Sequence, residues 1–135
     1  MQIEDCYLLP ADVFAEFYAD HDECIEQEDV SVLIREIERL YECNEAREEE
    51  RAVWLRAKHW VEENGVPSTD EDLAVMMRTV AGLNIGLFFR TVEVRNGVDA
   101  HINDLDRQIG CNLARIKHNK YLITRAYFIS QALSE

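Results

Sequence analysis

Proline and glycine are scarce in this 135-residue chain, two of the first and five of the second. So few breakers leave room for long regular elements. Cysteine is sparse too: Cys6, Cys24, Cys43 and Cys111 stand far apart with no C-x-x-C. That excludes a disulfide framework, and the expected state is four reduced thiols, most of them acting as small buried apolar residues. The longest nearly apolar run, Val80 to Phe89, has about half the length needed to span a bilayer. The opening "MQIEDC" lacks a basic region followed by an apolar one, so no signal peptide is read. A soluble cytoplasmic protein is the expectation. Lysine and arginine are missing altogether from residues 1–34, where ten acids stand.

The charge that is present is therefore uneven. It is −10 over residues 1–34, −6 over 35–72 and +3 over 73–135, against −13 for the whole chain. An acidic body repels nucleic acid and anionic membrane and attracts basic protein surfaces. The apolar fraction of 47% is high enough for a packed core in one domain of this length, so residues 1–135 are read as a single helical domain.

The spacing predicts a first helix over about residues 10–28. Pro10 suits its first turn, and Asp12 and Glu16 favour the positive end of the helix dipole. Val13, Phe14, Phe17, Tyr18, His21, Cys24 and Ile25 share one face, and Asp12, Glu16, Asp20, Glu23 and Gln27 the opposite one. A second helix is predicted from Ser31 to Asn64, with apolar stripes Leu33/Ile37/Leu40/Tyr41 and Val53/Trp54/Ala57/Trp60/Val61. The polar "NEAREEER" between the stripes marks a bend or an exposed crossing. Pairs such as Arg35/Glu38 and Glu48/Arg51 would support an exposed helix there. Gly65 and Pro67 give the stop.

"STDE" at Ser68–Glu71 reads as a capping box opening a third helix. Its apolar face is Leu73, Met76, Met77, Val80, Leu83 and Leu87, and Gly82 and Gly86 would admit a close neighbour. Around Asn96-Gly97 the alternating valines allow a small β-hairpin, but helical patterns flank the site and a helix break is favoured. A last helix is predicted over about Asp99–Leu133. Its seam Val98, Ile102, Leu105, Ile109, Asn112, Ile116, Asn119, Ile123 and Ala126 is spaced 4-3-4-3. A second apolar set (Leu113, Tyr121, Leu122, Tyr127, Phe128 and Ile129) widens the face. The helix is either central and buried on both sides, or it meets a second subunit. The seam residues Ile102, Leu105, Ile109, Asn112, Ile116, Asn119 and Ile123 are the candidates for self-association as a homodimer. The fold class that results is all-α, an irregular bundle of three or four helices.

Catalytic and metal signatures do not assemble. "DHDECIEQED" opens like a calcium loop but places Ile25 where the sharp turn needs glycine and Ser31 where the bidentate Glu belongs. His21 and Cys24 have zinc spacing without a second pair. No histidine follows a Glu by three, which a di-iron bundle requires. Cys111 and His118 share a helix face but lie about 10 Å apart along it, too far for a direct dyad. No P-loop, dinucleotide glycine pattern or nucleophile elbow is present. No metal, cofactor or catalytic residue is assigned, and a non-enzymatic role is expected. Arg107, Arg115, Lys117, Lys120 and Arg125 would suit phosphate, but they more readily answer the chain's own acids, so direct nucleic-acid binding is not expected.

The acidic face carries the functional expectation. Eight acids from Asp12 to Asp29 lie along about 26 Å of helix, one per about 3 Å. A single DNA strand carries one charge per ~3.4 Å and the duplex one per ~1.7 Å. The leading expectation is a protein that docks on a basic protein surface, in its sharpest form an inhibitor imitating nucleic acid as phage antidefence proteins do. Its contact residues would be Glu16, Asp20, Asp22, Glu23, Glu26, Glu28 and Asp29. The alternative is a helical adaptor or chaperone using an apolar face, either the C-terminal seam or Trp54/Trp60.

Overall fold

The computed structural model describes residues 3–21, 29–83 and 94–134. Among them are a 3-10 turn at Asp5–Tyr7 and four helices: α1 (Ala11–His21), α2 (Val30–Asn64), α3 (Asp70–Thr79) and α4 (Val94–Ser134). No strand occurs among the described residues, and none of these helices is long and apolar enough to cross a membrane. The all-α class stands. The second half of the hairpin alternative is helical, since Val98, Ala100 and Ile102 lie in α4. Gly97, at φ 142° and ψ 100°, interrupts that helix as a break.

The ends of the elements follow from local chemistry. The Pro10 carbonyl accepts from Phe14 N at 2.9 Å and opens α1. Asp29 opens α2: its carboxylate accepts from both the backbone N–H and the hydroxyl of Ser31 at 3.0 Å. Those bonds, the backbone one foremost, hold the Asp29 carboxyl below its usual range. Gly65, at φ 84°, closes α2 with its N–H on Val61 O at 2.8 Å. The cap of α3 lies one residue later than the sequence pattern placed it, because Thr69 Oγ1 accepts from Asp72 N at 3.1 Å.

α3 also ends sooner than its apolar spacing suggested. The helix stops at Thr79 and Val80 is extended. Leu83 is buried from the following turn rather than from the helix, and Leu87 lies outside the described residues. The turn is held against α2 by Arg56, whose Nε donates to Ala81 O at 2.9 Å. Gly82 (φ 86°) makes the approach feasible, since a Cβ there would stand 2.9 Å from Val53 Cγ2.

The chain divides into two compact units. One comprises Met1–Cys43 with Cys111–Glu135, the other Asn44–Gly110. In the first, Leu33, Ile37 and Leu40 of α2 pack with Ile116, Tyr121, Leu122 and Ile123 of α4, and Phe14 and Phe17 of α1 join them. Leu9 N donates to Thr124 Oγ1 at 2.9 Å and ties the entry of α1 to α4. In the second, Val53, Trp54 and Ala57 pack with Met76, Val80, Leu83, Val98, Ile102 and Leu105.

Polar residues between the two stripes of α2 find partners on α4 within the second unit. Arg51 Nε reaches Asp106 at 2.5 Å rather than Glu48, and Asn44 Nδ2 donates to Ile109 O at 3.4 Å. His101 Nε2 lies 3.7 Å from Glu50 Oε1, its ring beside Trp54 with centroids 4.5 Å apart. Cysteine burial departs from expectation. Cys6 and Cys111 are exposed, Cys43 is half-buried, and all three are free thiols.

Candidate functional site

α1 is laid on α4 by aromatic contacts. Phe14 stacks on Tyr121 with centroids 5.4 Å apart and meets Phe128 edge-on at 5.3 Å. Phe17 lies 4.7 Å from the Tyr121 ring. With that face committed, Asp12 and Glu16, one turn apart on the same helix, are exposed. Position 20 continues the stripe on the α1 backbone, but the Asp20 side chain lies outside the described residues, as do Asp22, Glu23, Glu26 and Glu28 entirely. Asp29 is exposed and serves as the α2 cap.

Three cations of this unit that lie on α4 are engaged elsewhere. Arg115 Nε donates to Glu36 Oε1 at 2.7 Å. Lys120 Nζ donates to the Tyr41 hydroxyl at 2.9 Å and lies 5.4 Å from its ring centroid. Lys117 sits 5.7 Å from the Phe17 ring centroid. Among the described residues no cation forms an ion pair with Asp12 or Glu16. The second acidic ridge is only partly outward. Glu42, Glu45, Glu48 and Glu49 are exposed, while Glu36 is paired and Glu50 is turned in beside His101. Glu38 accepts from the Tyr7 hydroxyl at 2.7 Å, which pushes that phenol up to about 12.

The Glu36–Arg115 contact makes a prediction for acid stability. Arg115's hydrogen bond is the largest influence on Glu36 and lowers its pKa, with burial acting the other way. A carboxyl lowered on folding stabilises the fold above its unfolded pKa, about 4.3 for Glu, and that contribution is lost as pH falls through the folded value. The expected outcome is a shallower acid decline in melting temperature for Glu36→Gln than for the parent below about pH 4.3. Thermal melts across an acid pH series measure it.

Most of the seam considered for self-association lies in the cores of the chain. Ile102 and Leu105 are buried in one core, Ile116 and Ile123 in the other, and Asn119 is wholly buried. Ile109 and Asn112 are half-buried. Five of the seven seam residues therefore pack within the folded chain. Trp54 is likewise buried completely. Among the described residues the large apolar side chains exposed on α4 are Leu113, Phe128, Ile129 and Leu133.

A further feature escaped the sequence reading. Within the Asn44–Gly110 unit a cleft of about 450 Å³ is lined by Leu55, Arg56, His59, Trp60 and Glu63 of α2 and by Thr79, Val80 and Ala81. The i, i+3, i+4, i+7 spacing of Arg56, His59, Trp60 and Glu63 signals one helix face. Nothing in the sequence signals that the turn after α3 forms the facing wall. No group of three His, Cys, Asp or Glu among the described residues is placed to hold a metal ion. Comparison of the chain with protein-family models, with curated proteins and with solved structures returned no match.

Proposed function

We propose that the protein is a non-enzymatic interaction protein whose N-terminal carboxylates dock on a basic protein surface, in its sharpest form as an inhibitor occupying another protein's nucleic-acid channel. One observation carries the reading: Asp12 and Glu16 face outward from α1 while Arg115, Lys117 and Lys120 of the same unit are engaged with Glu36, Phe17 and Tyr41. Negative charge left without a partner at home is available to attract one from outside.

The test is affinity capture from a native lysate at low and high salt, followed by kinetics with whichever partner is held. Charge-steered docking is expected to lose about tenfold or more in association rate on raising salt. The double reversal Asp12→Lys/Glu16→Lys is expected to abolish capture while costing only the helix-dipole contribution, about 0.3–1 kcal/mol per charge, since both side chains are exposed. Undiminished capture by this variant would refute the reading.

A second reading is apolar docking by an adaptor. It draws on Phe128, Ile129 and Leu133, exposed by 46%, 51% and 84% near the end of α4. Such docking would be nearly indifferent to salt, and Ile129→Asp would remove it while the α1 charge reversal would not.

A further inference from the structure

We propose that the cleft beside Trp60 is a binding site for a small aromatic carboxylate. Its volume of about 450 Å³ lies within the range of ligand pockets, about 300–1,000 Å³. Leu55, Trp60, Val80 and Ala81 give it apolar walls, which favour a hydrocarbon body, and the indole offers a flat surface for an aromatic ring.

The polar groups around the cleft select the charge. Glu63 lies 3.2 Å from His59 Nε2, and Thr79 Oγ1 donates to Val75 O at 2.7 Å, so both have partners within the fold. Arg56 differs. Its Nε is spent on Ala81 O, but among the described residues its terminal nitrogens form no ion pair. A guanidinium stays charged at any relevant pH and its fork matches a carboxylate. The donors left open in the cleft are those of Arg56, two helical turns (about 10 Å) from the Glu63 carboxylate, and their complement is a carboxylate. The chain's net charge of −13 opposes multiply charged ligands, which favours a monoanion.

The cleft is also built to hold its shape. The Arg56 bond to Ala81 fixes the turn on α2, and Gly82 lets that turn approach Val53. A ligand would therefore meet a prearranged wall, which lowers the ordering cost of binding.

The experiment is a heteronuclear NMR titration of the whole chain with 3-phenylpropionate, its amide and 3-phenylpropylamine. Saturable shifts are expected at the Trp60 indole and at Leu55, Thr79 and Ala81 with the acid, and only marginal ones at the buried Trp54 indole, which does not line the cleft. The amide and the amine are expected to bind at least about tenfold more weakly, the loss of a charge-assisted contact. Arg56→Met should abolish binding. Because that variant also unties the turn, Leu55→Trp serves as a second test, filling the cleft from an exposed position and leaving Arg56 intact. Absence of saturable shifts with the acid, equal binding of acid and amide, or unchanged binding in Leu55→Trp would each overturn the proposal.

Discussion

Trp54→Ala is expected to cost the Asn44–Gly110 unit about 3–5 kcal/mol, the range for removing a large buried aromatic side chain. Trp54 has no exposed surface and is the largest of the fully buried side chains. Its cluster draws on every described element of the unit: Val53 and Ala57 from α2, Met76 from α3, Val80 and Leu83 from the turn, and Val98, Ile102 and Leu105 from α4. A deletion at the meeting point of all these segments leaves a cavity that no single neighbour can fill by shifting. Against a typical total stability of about 5–15 kcal/mol, such a loss is a large share of the whole. Urea unfolding followed by circular dichroism reads the change as a lower midpoint. Trp54→Phe, which keeps an aromatic ring, is expected to fall between the two.

Tyr121→Ala is expected to have an effect of the same order, about 3–5 kcal/mol, and a functional consequence that Trp54→Ala lacks. Tyr121 is fully buried, and its ring receives both Phe14 and Phe17 of α1. Without it α1 loses its principal seat on α4, and the helix that presents Asp12 and Glu16 is no longer held. Limited proteolysis is expected to cut within Ala11–His21 in this variant and not in the parent. Partner capture should fall together with stability. The reversal of Asp12 and Glu16 should give the other pattern, with capture lost and stability lowered far less than by Tyr121→Ala. Comparing the two variants separates the charge of the face from the scaffold that orients it.

Much of the helical layout could be read from residue spacing because the signals were local. Gly65, with Pro67 beyond it, marked the stop of α2 and closes it through a hydrogen bond within the last turn, and Gly97 interrupts α4 where Asn96-Gly97 marked a break, whereas the Asp29 cap that opens α2 was not read as one. The end of α3 was not legible. Val80 and Leu83 keep the helical apolar period, yet both are buried from beyond the helix, so periodicity reports burial without reporting conformation. "STDE" and the Thr69–Asp72 cap satisfy the same pattern one residue apart, and only the hydrogen bond decides between them.

The seam of α4 shows a deeper limit. A 4-3-4-3 repeat states that Ile102, Leu105, Ile116 and Ile123 are covered, but not by which molecule. Here α2 of the same chain covers them, within each unit separately. The cleft was invisible for a related reason. Its second wall is set by Gly82 and by Arg56 reaching a carbonyl twenty-five residues away, a pairing that no local pattern encodes. The acidic stretch was legible as charge. Its outward placement is shown at Asp12, Glu16 and Asp29, and residues 22–28 lie outside the described part of the chain.

The division of the chain into one continuous unit and one assembled from two separated segments sets an order of events during folding. Within Asn44–Gly110 the longest ion pair among the described residues, Arg51 to Asp106, closes a loop of 55 residues. The other unit joins Leu9 to Thr124 across 115 residues and Glu36 to Arg115 across 79. Loops of that length close late, and their closure limits the folding rate. Until those loops close, the aromatic face of α1 has no cover from α4, so the partly folded chain is most open to aggregation in that interval.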